Sequence, residues 1–187
     1  TKISRLPENQ IMGSGTILDT ARLRYGLSEH FKVAQGNIHA YVFGEHGDTS
    51  FIPWTGAYIS GLSTDEYYEE MKAHGKDVKP LDKEAMLEYV QKSGGKVIAK
   101  KGATFYAVSA TVCQLVGLIL AASDSLATVS SMLHGEYGIE DVCLSTLTLV
   151  GPNGIQGKVQ MRMNKEEVEL LKKSANALKE VIAQIEL

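Results

Sequence analysis

Thr128-Val129-Ser130-Ser131-Met132-Leu133 and Val142-Cys143-Leu144-Ser145-Thr146-Leu147-Thr148-Leu149-Val150 are two strand-like runs separated by Gly135-Glu136-Tyr137-Gly138. This is a hairpin pattern, because glycines permit the reversal while β-branched and apolar side chains suit a pleated, half-buried surface. Gly151-Pro152-Asn153-Gly154 supplies a further turn, and alternation from Gly157 to Met163 predicts a third strand. Strands joined by such short turns run antiparallel. Beyond them, Asn164 is expected to cap an amphipathic helix carrying Val168, Leu171, Ala175, Leu178 and Ile182. Before them, helices are predicted over Thr16–Phe31, Thr64–His74, Asp82–Ser93 and Thr104–Ser123, with Gly94-Gly95 ending the third. Strands clustered apart from helices predict an α+β fold, one domain over residues 1–187 with an antiparallel sheet and flanking helices.

The chain has 187 residues, 44% hydrophobic and 22% charged, enough for one domain with its own core. A formal net charge of −3 and a pI near 6.0 leave no basic footprint, so neither nucleic acid nor an anionic membrane is an expected partner. The apolar run from Val108 to Ala122 is broken by Ser109, Thr111 and Gln114 and falls short of the ~20 residues a spanning helix needs, so a buried core helix is expected. Cys113 and Cys143 lie in apolar segments, which predicts buried free thiols, a reducing compartment and a cytoplasmic protein. The opening residues Thr1–Pro7 contain no apolar signal core. No histidine or cysteine spacing suits a metal, since His39 and His46 stand seven apart across a strand.

The run His39-Ala40-Tyr41-Val42-Phe43 reads as a short strand that ends in Gly44-Glu45-His46-Gly47-Asp48. His46 thus sits on a strand-end turn, where it is either a solvated side chain or a proton donor working near neutral pH. On the first helix, Asp19 and Arg22 are three residues apart and project from one face, as a surface ion pair or as a functional pair. Thr104 stands at a helix start, either as its cap or with its hydroxyl turned to a ligand. Gly13-Ser14-Gly15-Thr16 lacks the buried strand before it and the third glycine that a dinucleotide fingerprint needs, so it reads as a loop.

Taken together, Ile17-Leu18-Asp19-Thr20-Ala21-Arg22-Leu23-Arg24-Tyr25 and Gly44-Glu45-His46-Gly47-Asp48 resemble the two active-site motifs of the L-lactate and malate dehydrogenase family. Lys2-Ile3-Ser4 is similar to that family's exit from its cofactor domain, and Gly138-Ile139-Glu140-Asp141-Val142-Cys143-Leu144-Ser145 to its late sheet. Trp54 and the Glu45-His46 pairing favour the lactate branch over the malate branch. The resemblance implies that His46 is the acid/base, Asp19 its orienting partner, Arg22 the clamp on the substrate carboxylate, and Thr104 a residue of the substrate pocket. It implies pyruvate and L-lactate as substrates, NAD as cofactor, and a homo-oligomer, a tetramer by family habit. Arg24 and His39 match a fructose 1,6-bisphosphate effector site of bacterial relatives.

The sequence departs from the family in having Pro53 one place late and Arg5 in place of a glycine. The larger departure is that no cofactor-binding half is expected in this stretch, and with it a second arginine over the substrate carbonyl is missing. The chain is therefore expected to be the C-terminal substrate domain, inactive alone. The alternatives are a malate or other 2-hydroxyacid dehydrogenase, and a non-catalytic oligomerisation module.

Overall fold

The computed structural model describes Thr1 and residues 3–185. Lys2, one of the residues carrying the family resemblance, lies outside them. Helix α1 spans Ile17–Phe31. Its Leu23, Leu27 and Phe31 recur every four residues, so they share one face, and all three are buried in a core with Ile38, Val42, Ile52, Ile59 and Val90.

The predicted strand over 39–43 is mostly not regular strand. Only β1 (Ile38–His39) is, paired antiparallel with β2 (Tyr58–Ile59), which pairs with β3 (Leu62–Ser63). The reason lies in α1. Thr20 Oγ1 accepts from the Val42 N–H at 3.0 Å, and the Thr16 hydroxyl donates to the Val42 carbonyl at 2.5 Å. Thr20 of α1 and the N-cap Thr16 thus satisfy backbone groups that a neighbouring strand would otherwise take.

Helix α2 (Thr64–Ala73) opens with a reciprocal capping box between Ser63 and Glu66. Helix α3 (Lys83–Lys101) is capped by Asp82 as expected, but it runs through Gly94-Gly95 instead of ending there. Each internal glycine costs about 1 kcal/mol of helix propensity without breaking the hydrogen-bond ladder. The stop is Gly102, whose φ of 78° closes the helix with an N–H donated to the Ile98 carbonyl.

Helix α4 (Tyr106–Leu120) begins two residues after Thr104, with Phe105 at the cap position and no side-chain cap. Thr104 is therefore not an N-cap, and the helix ends at Leu120 rather than Ser123. The expectation of a buried core helix also fails. Only Thr111 and Leu115 are buried, while Val108, Val112, Val116 and Leu120 are exposed.

Strands β4 (Ser125–Ala127) and β5 (Ser130–His134) lie on either side of Thr128-Val129, and β6 (Glu140–Ser145) closes the predicted hairpin on β5. The long run 142–150 is not one strand. It breaks at Thr146-Leu147, and β7 (Thr148–Gly151) joins a different sheet, between β4 and β8 (Gly154–Lys158). The third strand accordingly starts at Gly154 and ends at Lys158, earlier than the alternation suggested.

Helix α5 (Lys165–Ile182) is capped by Asn164 in a second capping box, with Glu167. It buries Leu171 and Ala175 against Phe43, Phe51, Val142 and Leu144. Neither cysteine is buried as expected: both are free, Cys113 exposed and Cys143 half-buried. Among the described residues no helix is long and apolar enough to cross a membrane, and no group of three or more His, Cys, Asp or Glu side chains is arranged to hold a metal ion.

Candidate active site

The turn carrying His46 is held at its base by backbone. Phe43 and Phe51 exchange both of their hydrogen bonds, at 2.9 and 3.0 Å. Gly44 and Ser145 of β6 do the same, at 3.0 and 3.1 Å. Gly44 needs a φ of 98°, where a side chain is strained, so glycine lets the chain leave the core and turn outward. From the other side, Gln91 of α3 donates through Nε2 to the Asp48 and Ser50 carbonyls at 3.1 and 2.9 Å.

His46 and Asp19 are 27 residues apart in sequence and meet with Nδ1 and Oδ2 at 2.6 Å. Arg22 donates through Nη1 to the other carboxylate oxygen, Oδ1, at 3.1 Å. Asp19 is buried and serves both partners, one oxygen each, which is how a buried carboxylate stays satisfied. Its bond to Nδ1 leaves Nε2 of His46 as the outward atom, on a side chain 62% exposed. The hydrogen bond to Asp19 raises the His46 pKa above its ordinary 6.5. Partial burial works against this, the Asp19 charge adds to it, Arg22 opposes and Glu45 assists.

These three residues line a cleft of about 350 Å³ together with Leu18, Gly47, Asp48, Ser50, Gln91, Gly94, Gly95, Ile98, Thr104 and Val108. The structure therefore brings four of the predicted site residues, Asp19, Arg22, His46 and Thr104, to one cavity. The remaining two, Arg24 and His39, lie outside this cavity. Arg24 donates through Nε to the Ala40 carbonyl at 3.1 Å and lies over the Tyr41 ring, and exposed His39 precedes Ala40 in the chain. A larger hollow of about 540 Å³, lined by Glu8, His134, Glu140 and Asp141 among others, lacks such a grouping of carboxylate, imidazole and guanidinium.

Sequence reading passed over Gln91, Gly94, Gly95 and Ile98. Gln91 sits in a charge-laced helix whose polar residues read as a solvated face, and its signal is only structural. The glycine pair did carry a signal, since glycine inside a helix is costly without a reason. A β-carbon on Gly95 would meet nothing within 4 Å, and one on Gly94 only Arg22 nitrogens at 3.8 and 3.9 Å. Packing does not require these glycines, and both line the cleft, Gly94 beside Arg22.

Residues 16–186 match the family described as lactate/malate dehydrogenase, alpha/beta C-terminal domain. The chain belongs to this family. Curated relatives include an L-lactate dehydrogenase of Acetivibrio thermocellus, 45% identical over 186 residues, covering 100% of this chain and 58% of the relative. L-lactate dehydrogenase 1 of Clostridium acetobutylicum is 42% identical over 184 residues, covering 98% of the chain and again 58% of the relative. Among solved structures, an L-lactate dehydrogenase from Clostridium thermocellum superposes with a TM-score of 0.88 at 35% identity, over 100% of this chain and 60% of that one. A minor L-lactate dehydrogenase from Enterococcus mundtii gives 0.90 at 29% identity, over 100% and 58%. The chain thus spans less than two thirds of the length of these family members. The antiparallel sheets and flanking helices are those of the family's C-terminal domain.

Proposed function

We propose that this chain is the substrate domain of an NAD-dependent L-lactate dehydrogenase, active when joined to a cofactor-binding domain. The observation that carries the reading is one buried carboxylate, Asp19, bonded at once to the His46 imidazole and the Arg22 guanidinium at the edge of an open cleft. Arg22 commits one nitrogen to Asp19, and the rest of its planar fork is free to take a substrate carboxylate in two parallel hydrogen bonds. That grip places the 2-oxo or 2-hydroxy oxygen toward His46 Nε2. In pyruvate reduction a protonated His46 gives its proton to the forming alkoxide; in lactate oxidation neutral His46 takes it back. Asp19 fixes the tautomer and stabilises the imidazolium. Thr104, free of capping duty, offers a hydroxyl to the pocket wall.

A nicotinamide would supply the hydride at the carbon bearing that oxygen. The exposed edge of His46 is open to a ring placed against it. Gly13-Ser14-Gly15 is not built as a dinucleotide loop: Gly13 is tied to β5 by a bridge to Ser130. On the lactate dehydrogenase reading NAD would be held mostly by a cofactor-binding domain, and the chain alone is expected to be inactive.

The lactate reading is tested by joining the chain to a cofactor-binding half and comparing pyruvate, oxaloacetate and branched 2-oxo acids. A kcat/KM highest for pyruvate supports it, and a preference for oxaloacetate overturns it in favour of a malate dehydrogenase. Cytoplasmic location and assembly as a homo-oligomer, a tetramer by family habit, belong to the same reading. So does activation by fructose 1,6-bisphosphate. Arg24 lies against the backbone next to His39, and an arginine with a titratable imidazole favours a phosphate. Arg24→Gln is expected to abolish that activation, and its persistence removes the effector site.

A further inference from the structure

The turn that carries His46 is bound to the last helix by hydroxyl groups. Ser174 of α5 is wholly buried, and its Oγ accepts from the Glu45 N–H at 2.8 Å. Thr49 Oγ1 stands 2.9 Å from that same Oγ and 2.6 Å from Glu45 Oε1. The Thr49 N–H also donates to Glu45 Oε1, at 3.2 Å. Ser174 Oγ thus accepts from both the Glu45 amide and the Thr49 hydroxyl, and that hydroxyl's single hydrogen is shared between Ser174 Oγ and Glu45 Oε1. A closed ring of contacts results, from Glu45 to Ser174 through the amide, and from Thr49 to both Ser174 and the Glu45 carboxylate.

The ring closes across His46, with one member before it and one after. Backbone packing points the same way: a β-carbon on Gly44 would lie 2.7 Å from Ser174 Oγ, so α5 is pressed against the chain where the turn begins. We propose that Ser174 is a positioning residue, which through Thr49 and Glu45 fixes the turn so that His46 meets Asp19 in the geometry proton transfer needs. The inference rests on the acid/base reading of His46. The charged groups facing the imidazole are Asp19 and Arg22 from α1 and Glu45 from its own turn.

The test uses Ser174→Ala, Thr49→Val and Thr49→Ser, the last keeping the hydroxyl that valine lacks. NMR titration of His46 in the 187-residue chain should show a midpoint above 6.5 in the unaltered protein and in Thr49→Ser. It should fall toward about 6.5 in Thr49→Val and Ser174→Ala. In the chain joined to a cofactor-binding half, the same two variants should lose about tenfold in kcat with KM for pyruvate within about twofold, as expected for a misplaced proton donor. A Thr49→Val protein that loses thermal stability with His46 midpoint and kcat unmoved overturns the proposal, as does an equal loss in Thr49→Ser. Should Ser174→Ala not fold, the two Thr49 variants decide alone. If His46→Asn keeps full turnover, the acid/base reading is what has failed, and the titration still judges the ring independently.

Discussion

The His46 turn and helix α4 are opposites. The turn is polar and glycine-bounded, yet it is fixed by hydrogen bonds from β6, α1, α3 and α5. Helix α4 is among the most apolar segments of the chain, yet it leaves Val108, Val112, Val116 and Leu120 in the open. Hydropathy is a statement about what a segment prefers, and a chain that holds less than two thirds of its relatives' length need not meet every preference internally. Geometry at the turn comes from directional bonds, and their partners lie within this chain.

The strongest way to break this contrast is at the turn itself. With the chain joined to a cofactor-binding half, His46→Asn should lower kcat by about 10³-fold, near the upper range for loss of a general acid/base. The fold should stay intact, since the side chain is mostly exposed. Near-normal turnover in steady-state assays removes the assignment.

Asp19→Asn should have the next largest effect. Loss of the hydrogen bond and the negative charge should bring the His46 midpoint down from its raised position, read by NMR titration. The linked stability follows in sign. A histidine pKa raised by folding contributes stability that is full below the unfolded value of about 6.5 and is lost as pH rises through the folded value. The pH-dependent part of the Tm difference between the unaltered protein and Asp19→Asn should therefore be widest in mild acid and shrink as pH rises. A difference that grows with pH contradicts it.

The smallest effect is expected on α4. Val112→Lys and Val116→Lys should each change stability of the isolated chain by less than about 0.5 kcal/mol in urea unfolding, because both side chains are already exposed. A loss of several kcal/mol shows that the helix face is covered within this chain after all.

Much of the fold could be read from residues with a single physical use. Asn164 and Asp82 cap helices, the spacing of Leu23, Leu27 and Phe31 buries one face of α1, and Gly135 to Gly138 turns a hairpin. What escaped was decided by partners distant in sequence. Val42 is not in a strand because Thr20 of α1 and the N-cap Thr16 take its backbone groups. The run 142–150 divides because its two ends pair with different neighbours, β5 and β4. At the site, His46, Asp19 and Arg22 stood out as residue types on turn and helix, but their convergence on one cleft needed the fold. Ser174 was invisible, since a serine in a helix has no pattern of its own.

The two threonine bonds to Val42 also bear on exchange. The amide hydrogen of Val42 is held by the Thr20 side chain, not by another strand, so its exchange with solvent reports whether that helix contact is made. Asp19 directly precedes Thr20, so one stretch of helix holds both the segment leading into the His46 turn and the carboxylate that meets His46.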